Sequence, residues 1–268
     1  MALQLLEHPG ITLASGTGLD LPHQAARARA MWLAGRQQRP PLLLVVLLWA
    51  RHCPDVVQTL ERHLDALFAD FRCTPEGWSE TQAARQVLAA LNLQLFRRQQ
   101  AGRGTADLHA GVLLMQGDEL QFLQAGSVGL ARAHKGALQI LAGREGQALG
   151  AQAELALVQH NLLPSRGEHL LLAPQPLLDV SDLQGLCIQA QGGLCERLQP
   201  LLQAPGAAVL LGVGETQCLT PAPSAAPRPA LAQIACGQQL DGWTLLRQCP
   251  YGPPGRLYVG RDAVSYTH

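Results

Sequence analysis

The sequence predicts an α+β fold of stacked layers built on antiparallel sheets. Three observations carry that expectation. A continuous apolar run, LLLVVLLWA (42–50), stands behind Pro40-Pro41. Two helical stretches follow it without a strand between them. From His109 onward the texture changes to short strands separated by turn residues. Helices and hairpins in separate blocks favour layers on antiparallel sheets over an alternating βα pattern.

The run 42–50 reads as a strand covered on both faces, because it shows no polar alternation. Val56, Leu60, His63, Leu64, Leu67 and Phe71 then recur at helical spacing, with Pro54-Asp55 as the start signal. A second helix is expected from Ser79 to about Gln99, with Ala83, Val87, Leu88, Leu91 and Leu95 on one face. Ser79 and Gln82 form its capping box. Between His109 and Leu149, HAGVLLM, ELQFLQA, GLARAH and ALQIL alternate with the turns Gln116-Gly117-Asp118, Gly126 and Lys135-Gly136, the pattern of hairpins. HLLLA (169–173) is a further strand, Asp179 to Gln203 a helical region interrupted at Gly192-Gly193, and AAVLLGV (207–213) a last strand. A Pro/Ala-rich stretch, TPAPSAAPRPA (220–230), has the composition of an extended linker. GQQLDGWTLLRQ and LYVGRD beyond it read as two strands of something else.

Composition narrows the function classes. The chain has 268 residues, a 47% hydrophobic fraction and only 4% aromatics, so Leu and Ala must build the core. Lys+Arg and Asp+Glu are both 20, giving a formal net charge of zero. That excludes a broad nucleic-acid or anionic-membrane surface, which needs a sustained positive excess. The run 42–50 is about half the ~20 residues of a membrane helix, and the acidic Glu7 with no basic residue ahead of it does not fit a signal peptide. The seven cysteines are dispersed, with no Cys-x-x-Cys pair, as expected of reduced thiols. A cytoplasmic location is the expectation.

Several phrases, in order, resemble the metal-dependent protein phosphatase (protein phosphatase 2C, PPM) family. Gly117-Asp118-Glu119-Leu120 followed by AGSVGLARAHKGALQIL resembles the family's "gd-x-l…anvGDSRaYllrdGkl". LPSRGEHLLLAPQPLLDV (163–180) is similar to "L-x-pGDxLLLcSDGLtDv". LLLVVLLWARH (42–52) stands where the family has "lfvVaDGhGG", Pro22-His23-Gln24-Ala25 where it has Asn-Gln-Asp, and PGAAVLL (205–211) where it has "DN-x-T-vvvv". The resemblance spans residues ~10–215. It implies a four-layer α-β-β-α sandwich, two antiparallel sheets flanked by helices, over residues 1–219.

The family hydrolyses phosphoserine and phosphothreonine with Mg or Mn held by aspartates, hard ions that need anionic oxygens. Carried over position by position, the ligands fall at Ala25, Leu48, Gln175 and Pro205, none of which has a carboxylate. Trp49 and Pro176 also replace family glycines. The resemblance therefore implies a kept scaffold with no metal cofactor and no catalytic residue. Such a pseudophosphatase would act as a regulatory module on a protein partner, with a kinase or a phosphoprotein the candidates. A divergent Mg/Mn-dependent phosphatase stays open as the alternative.

The segment LDGWTLLRQCPYGPPGRLYVGRD (240–262) resembles the first strands of a protein kinase. Gly252 and Gly255 stand at the second and third glycine positions and Pro250 at the first, with Pro253-Pro254 stiffening the loop. Bacterial phosphatase–kinase fusions share this layout. The expected organisation is thus a phosphatase-like domain (1–219), a linker (220–236) and a kinase-like stub (237–268), as in a truncated fusion.

Other polar residues take simpler readings. His52 and His63 match no zinc spacing and are expected at the surface or satisfied. Ser127 in AGSVG lacks the first glycine of a nucleophile elbow and belongs to a hairpin turn. Asp179 and Asp182 suit a helix start, and Asp118 a turn. Cys187 and Cys195 have no basic neighbour to activate them.

Overall fold

The computed structural model describes residues 3–8, 10–102, 106–134, 136–141, 147–186 and 192–214, with 239–240, 243–248 and 258–262 beyond them. Met1–Gln217 and Cys218–His268 form two compact units. The first unit begins with β1 (Leu3–His8), β2 (Ile11–Thr17), β3 (Ala25–Leu33) and β4 (Leu42–Arg51). Two helices follow, α1 (Val56–Cys73) and α2 (Glu80–Gln100). Then come β5 (Asp107–Gln116), β6 (Glu119–Ala125), β7 (Val128–His134), β8 (Ala137–Leu141), β9 (Val158–Leu162) and β10 (His169–Pro174). The unit ends with α3 (Gln175–Val180), α4 (Leu194–Leu198) and β11 (Ala207–Val213). One sheet has the order β1-β2-β11-β10-β7-β8, the other β3-β4-β5-β6-β9. Their ladders are antiparallel.

Three cores separate four layers, the α-β-β-α order implied above. Strand β4 shows how. Leu42, Leu44, Val46, Leu48 and Ala50 belong to the core under α1 and α2. Leu43, Val45, Leu47 and Trp49 belong to the core between the sheets. Successive side chains of a strand point to opposite faces, so an unbroken apolar run is what a doubly covered strand requires. Helix α1 buries Val56, Leu60, Leu64, Leu67, Phe68 and Phe71 against this sheet. Leu177, Leu178, Leu194 and Leu198 pack α3 and α4 on the other.

Half of the capping box expected for α2 forms: Gln82 N donates to Ser79 Oγ at 3.2 Å, with no return bond from the Gln82 side chain among the described residues. Asp55 precedes α1 as expected but with left-handed backbone (φ 50°) and no side-chain cap. Strands β1 to β3 have no counterpart in the residue-pattern reading. The helical region expected from Asp179 starts earlier, at Gln175, with a proline in its first turn. Asp179 therefore lies inside α3 and accepts from Gln175 Nε2 (2.7 Å), correcting its reading as a helix start. Asp182 caps a later turn, accepting from Gly185 N at 2.9 Å. The turn expected at AGSVG is not a hairpin. Strand β6 belongs to one sheet and β7 to the other, so Gly126 and Ser127 carry the chain between them.

In the second unit, β12 (Gln239–Leu240), β13 (Trp243–Gln248) and β14 (Tyr258–Asp262) form an antiparallel sheet in that order. Strands β13 and β14 fall in the two expected segments. The linker 220–236, the loop 250–255 and Cys187 lie outside the described residues. Cys53, Cys73 and Cys195 are free. No described helix is long and apolar enough to cross a membrane.

Gly111 of β5 lies close against β7 and β10 of the other sheet. A Cβ there would lie 2.5 Å from Val128 Cγ1 and 3.0 Å from Leu172 Cδ1. Gly111→Ala is predicted to destabilise the unit by about 1–3 kcal/mol, as overpacked cores do. Urea unfolding would measure this, and the penalty should shrink in a Val128→Ala background, where the obstructing methyls are gone.

Candidate functional site

Strand ends from both sheets gather at one end of the sandwich. Thr17 closes β2 opposite Ala207 at the start of β11, and Pro174 closes β10 opposite Val128 at the start of β7. In the other sheet Ala25 opens β3 opposite Ala50, and Arg51 closes β4 opposite Asp107 at the start of β5. Both connections that cross between the sheets here, residues 18–24 and Gly126-Ser127, are held by main-chain bonds. Gly18 N donates to Gly206 O (2.8 Å), and Cys53 N donates to His23 O (3.2 Å).

Three of the four family positions come to this end. Ala25 sits at the first residue of β3 and is 1% exposed. Gln175 opens α3 just past β10, and Pro205 forms a bridge with Leu19 just before β11. Leu48 stays further in, in register with Arg27 and Ala110, fully buried in the helix-side core. Strand β4 continues past it to Arg51, so Ala50 is the residue paired with Ala25. Between the sheets, β4 presents Trp49.

The polar residue that composition and spacing did not single out is His109. It is the register partner of Trp49, and the rings stack at 4.9 Å between centroids. Its Nδ1 accepts from Ser127 N at 3.1 Å. Ser127 O in turn accepts from Gln175 N at 2.9 Å, so one residue of the crossing ties His109 to Gln175. Gly126 is required beside it, having φ +81° and no room for a Cβ, which would fall 2.1 Å from His109 Nδ1. Of the buried polar atoms without a hydrogen-bond partner among the described residues, three belong to this end: His109 Nε2, Gln175 Oε1 and Arg51 Nε. The only sequence signal for His109 is a polar residue inside the apolar phrase HAGVLLM.

Each carboxylate close to these residues is engaged. Asp107 meets Arg51 (3.6 Å) and the exposed His52 (3.1 Å), Asp20 meets Arg27 (2.6 Å), and Asp179 accepts from Gln175. Arg51 also lies over the Trp49 ring at 5.0 Å. Among the described residues no group of three or more His, Cys, Asp or Glu is placed to hold a metal ion. A pair of hard divalent ions needs several anionic oxygens. Ala25, Leu48 and Ala50 offer no side-chain oxygen, and Gln175 offers one neutral carbonyl. These residues do not fit such a centre, and no step through a metal follows from them.

The buried His109 imidazole is pushed down from its ordinary 6.5 to about 4, mainly by loss of hydration and further by the Arg51 cation, with Asp107 opposing. The folded chain therefore keeps this ring neutral where the unfolded chain would already be protonated. This contribution is complete above about pH 6.5 and is lost as pH falls toward 4. Between pH 7.5 and 5 it amounts to about 2 kcal/mol. His109→Phe, which keeps the stack on Trp49, is predicted to flatten the pH dependence of stability by that amount in urea titrations at the two pH values.

No protein-family model matches the chain, and no curated protein matches it either. Solved structures do. The serine/threonine phosphatase of S. agalactiae is 12% identical at TM-score 0.62, covering 76% of this chain and 98% of its own. RsbX, solved in complex with magnesium, is 10% identical at TM-score 0.53, covering 79% and 100%. The PPM Ser-Thr phosphatase MsPP from Mycobacterium smegmatis is 13% identical at TM-score 0.50, covering 71% and 98%. Two antiparallel sheets between helix layers, in a chain that superposes on nearly the whole of each of these proteins, are the fold of the PPM-type, protein phosphatase 2C-like serine/threonine phosphatases.

Proposed function

We propose that this domain is a pseudophosphatase, a protein phosphatase 2C-like scaffold that binds rather than hydrolyses. The observation that carries this reading is the filling of the strand-end cluster with apolar and neutral groups. Ala25, Trp49 and Ala50 are buried, and Trp49 with His109 forms a stacked pair between the sheets. A metal-activated water needs a cation to lower its pKa, and a cation needs charged ligands to replace its hydration shell. The carboxylates nearest this end are already paired with arginine, histidine or glutamine. Their removal from family positions also favours the fold, since a buried acid without its counter-ion is costly. Magnesium in RsbX belongs to that protein.

In this reading the domain is a regulatory module in serine/threonine phosphorylation, and its partner is a protein, with kinases and phosphoproteins the candidates. It takes no Mg or Mn. The kinase-like resemblance of residues 240–262 fits a chain related to phosphatase–kinase fusions. Hydrolysis of a phosphothreonine peptide by the full chain in millimolar MnCl2 is predicted to stay at the background rate, with and without EDTA. Calorimetry with MnCl2 should show no saturable heat. Clear turnover abolished by the chelator would instead establish a divergent active phosphatase.

A further inference from the structure

Helices α1 and α2 part near the start of one and the end of the other, leaving a pocket of ≈ 100 Å³ over the end of the five-stranded sheet. Ala50, Leu95, Leu108 and Leu149 give it apolar walls, and His63 and Arg98 add the basic groups. His63 lies on the buried face of α1 between Leu60 and Leu64 and is 9% exposed. Its ring takes no hydrogen bond or ion pair among the described residues, and neither does the guanidinium of Arg98. The His63 ring nitrogens are not sealed from solvent, and the residue lines the cavity, so its polar edge is available to a ligand there. Among the described residues no carboxylate lines the cavity. Loss of hydration, with the Arg98 and Arg62 cations, holds the His63 imidazole below its usual range, so it presents a neutral N–H donor.

A small pocket with largely apolar walls, polar Thr59, His63 and Gln99, and the Arg98 cation at its exposed rim is complementary to a compact apolar body bearing a single anionic group. We propose that this pocket binds a small apolar monocarboxylate, its ring or branched chain against Ala50, Leu95, Leu108 and Leu149 and its carboxylate between His63 and Arg98. The volume is of the order that takes one aromatic ring, since cavities of about 150 Å³ hold benzene. This site is separate from the stacked pair at Trp49 and holds whether or not the domain is catalytic. It is linked to the strand-end cluster through Ala50, which lines the pocket and pairs with Ala25.

The test is titration of the full chain with sodium benzoate, followed by calorimetry and by amide chemical shifts. Saturable binding with shifts confined to α1, α2 and their sheet neighbours is expected. Benzyl alcohol, lacking the charge, and acetate, lacking the body, should each bind at least about tenfold more weakly, as loss of a charge-assisted bond or of apolar burial predicts. His63→Leu should weaken benzoate by at least about tenfold while the fold is retained, and the surface change Arg98→Gln should weaken it without perturbing the core. Absence of saturable benzoate binding overturns the proposal. So does binding that neither variant weakens. Benzyl alcohol binding as tightly as benzoate overturns the assignment of a carboxylate.

Discussion

Strand β4 is buried on both faces along nearly its whole length, and the rest of the domain is arranged around that constraint. Five of its side chains hold α1 and α2 to the sheet, and four hold the two sheets together. Because both faces are dry, each residue of β4 must be apolar or carry its own partner. The demand persists to the strand end. Ala50 closes the helix side, while Trp49 meets His109 on the sheet side and has Arg51 over its ring.

The same burial separates the two histidines that matter. His109 and His63 are both buried and both favour the neutral ring. His109 has a main-chain donor for its Nδ1 and an aromatic plane to stack on, so its role is accounted for within the sandwich. His63 has neither, on a helix face that is otherwise leucine and phenylalanine. The difference lies in what each ring meets: His109 is held inside the sandwich by Ser127 and Trp49, whereas His63 lines the cavity between the helices.

Periodicity made β4, α1, α2 and the hairpins at Gly117 and Gly136 legible, because each buries a regular face. Strand β3 was hidden. Its alternate residues Arg27 and Arg29 are helix formers by propensity, and only the fold shows them reaching Asp20, Glu61 and Asp65. Asp179 suggested a helix start where the proline one turn earlier was the better signal. In the site, the order of family phrases located Ala25, Gln175 and Pro205 at one end. An apolar run carries no internal mark of register, so it could not show that Leu48 stops two residues short of Ala50. His109 was illegible because its function as an acceptor for Ser127 depends on a crossing between sheets that sequence presented as a hairpin.

The ion pairs around the strand ends bear on the chemistry more than on stability. Exposed pairs such as Arg29–Asp65 contribute little to folding, since solvent screens them and two long side chains are ordered to make them. Their consequence lies in what they occupy. Asp20 makes two bonds to Arg27, at 2.7 and 2.6 Å, so its charge is already matched by a cation of the chain. Asp107 is shared between Arg51 and His52, and Asp179 is drawn toward Gln175 inside α3. A shift of alignment by one or two residues from Ala25, Leu48 or Gln175 meets no carboxylate. The reading of a binding scaffold rests on that pairing of each nearby acid as much as on the four substituted positions.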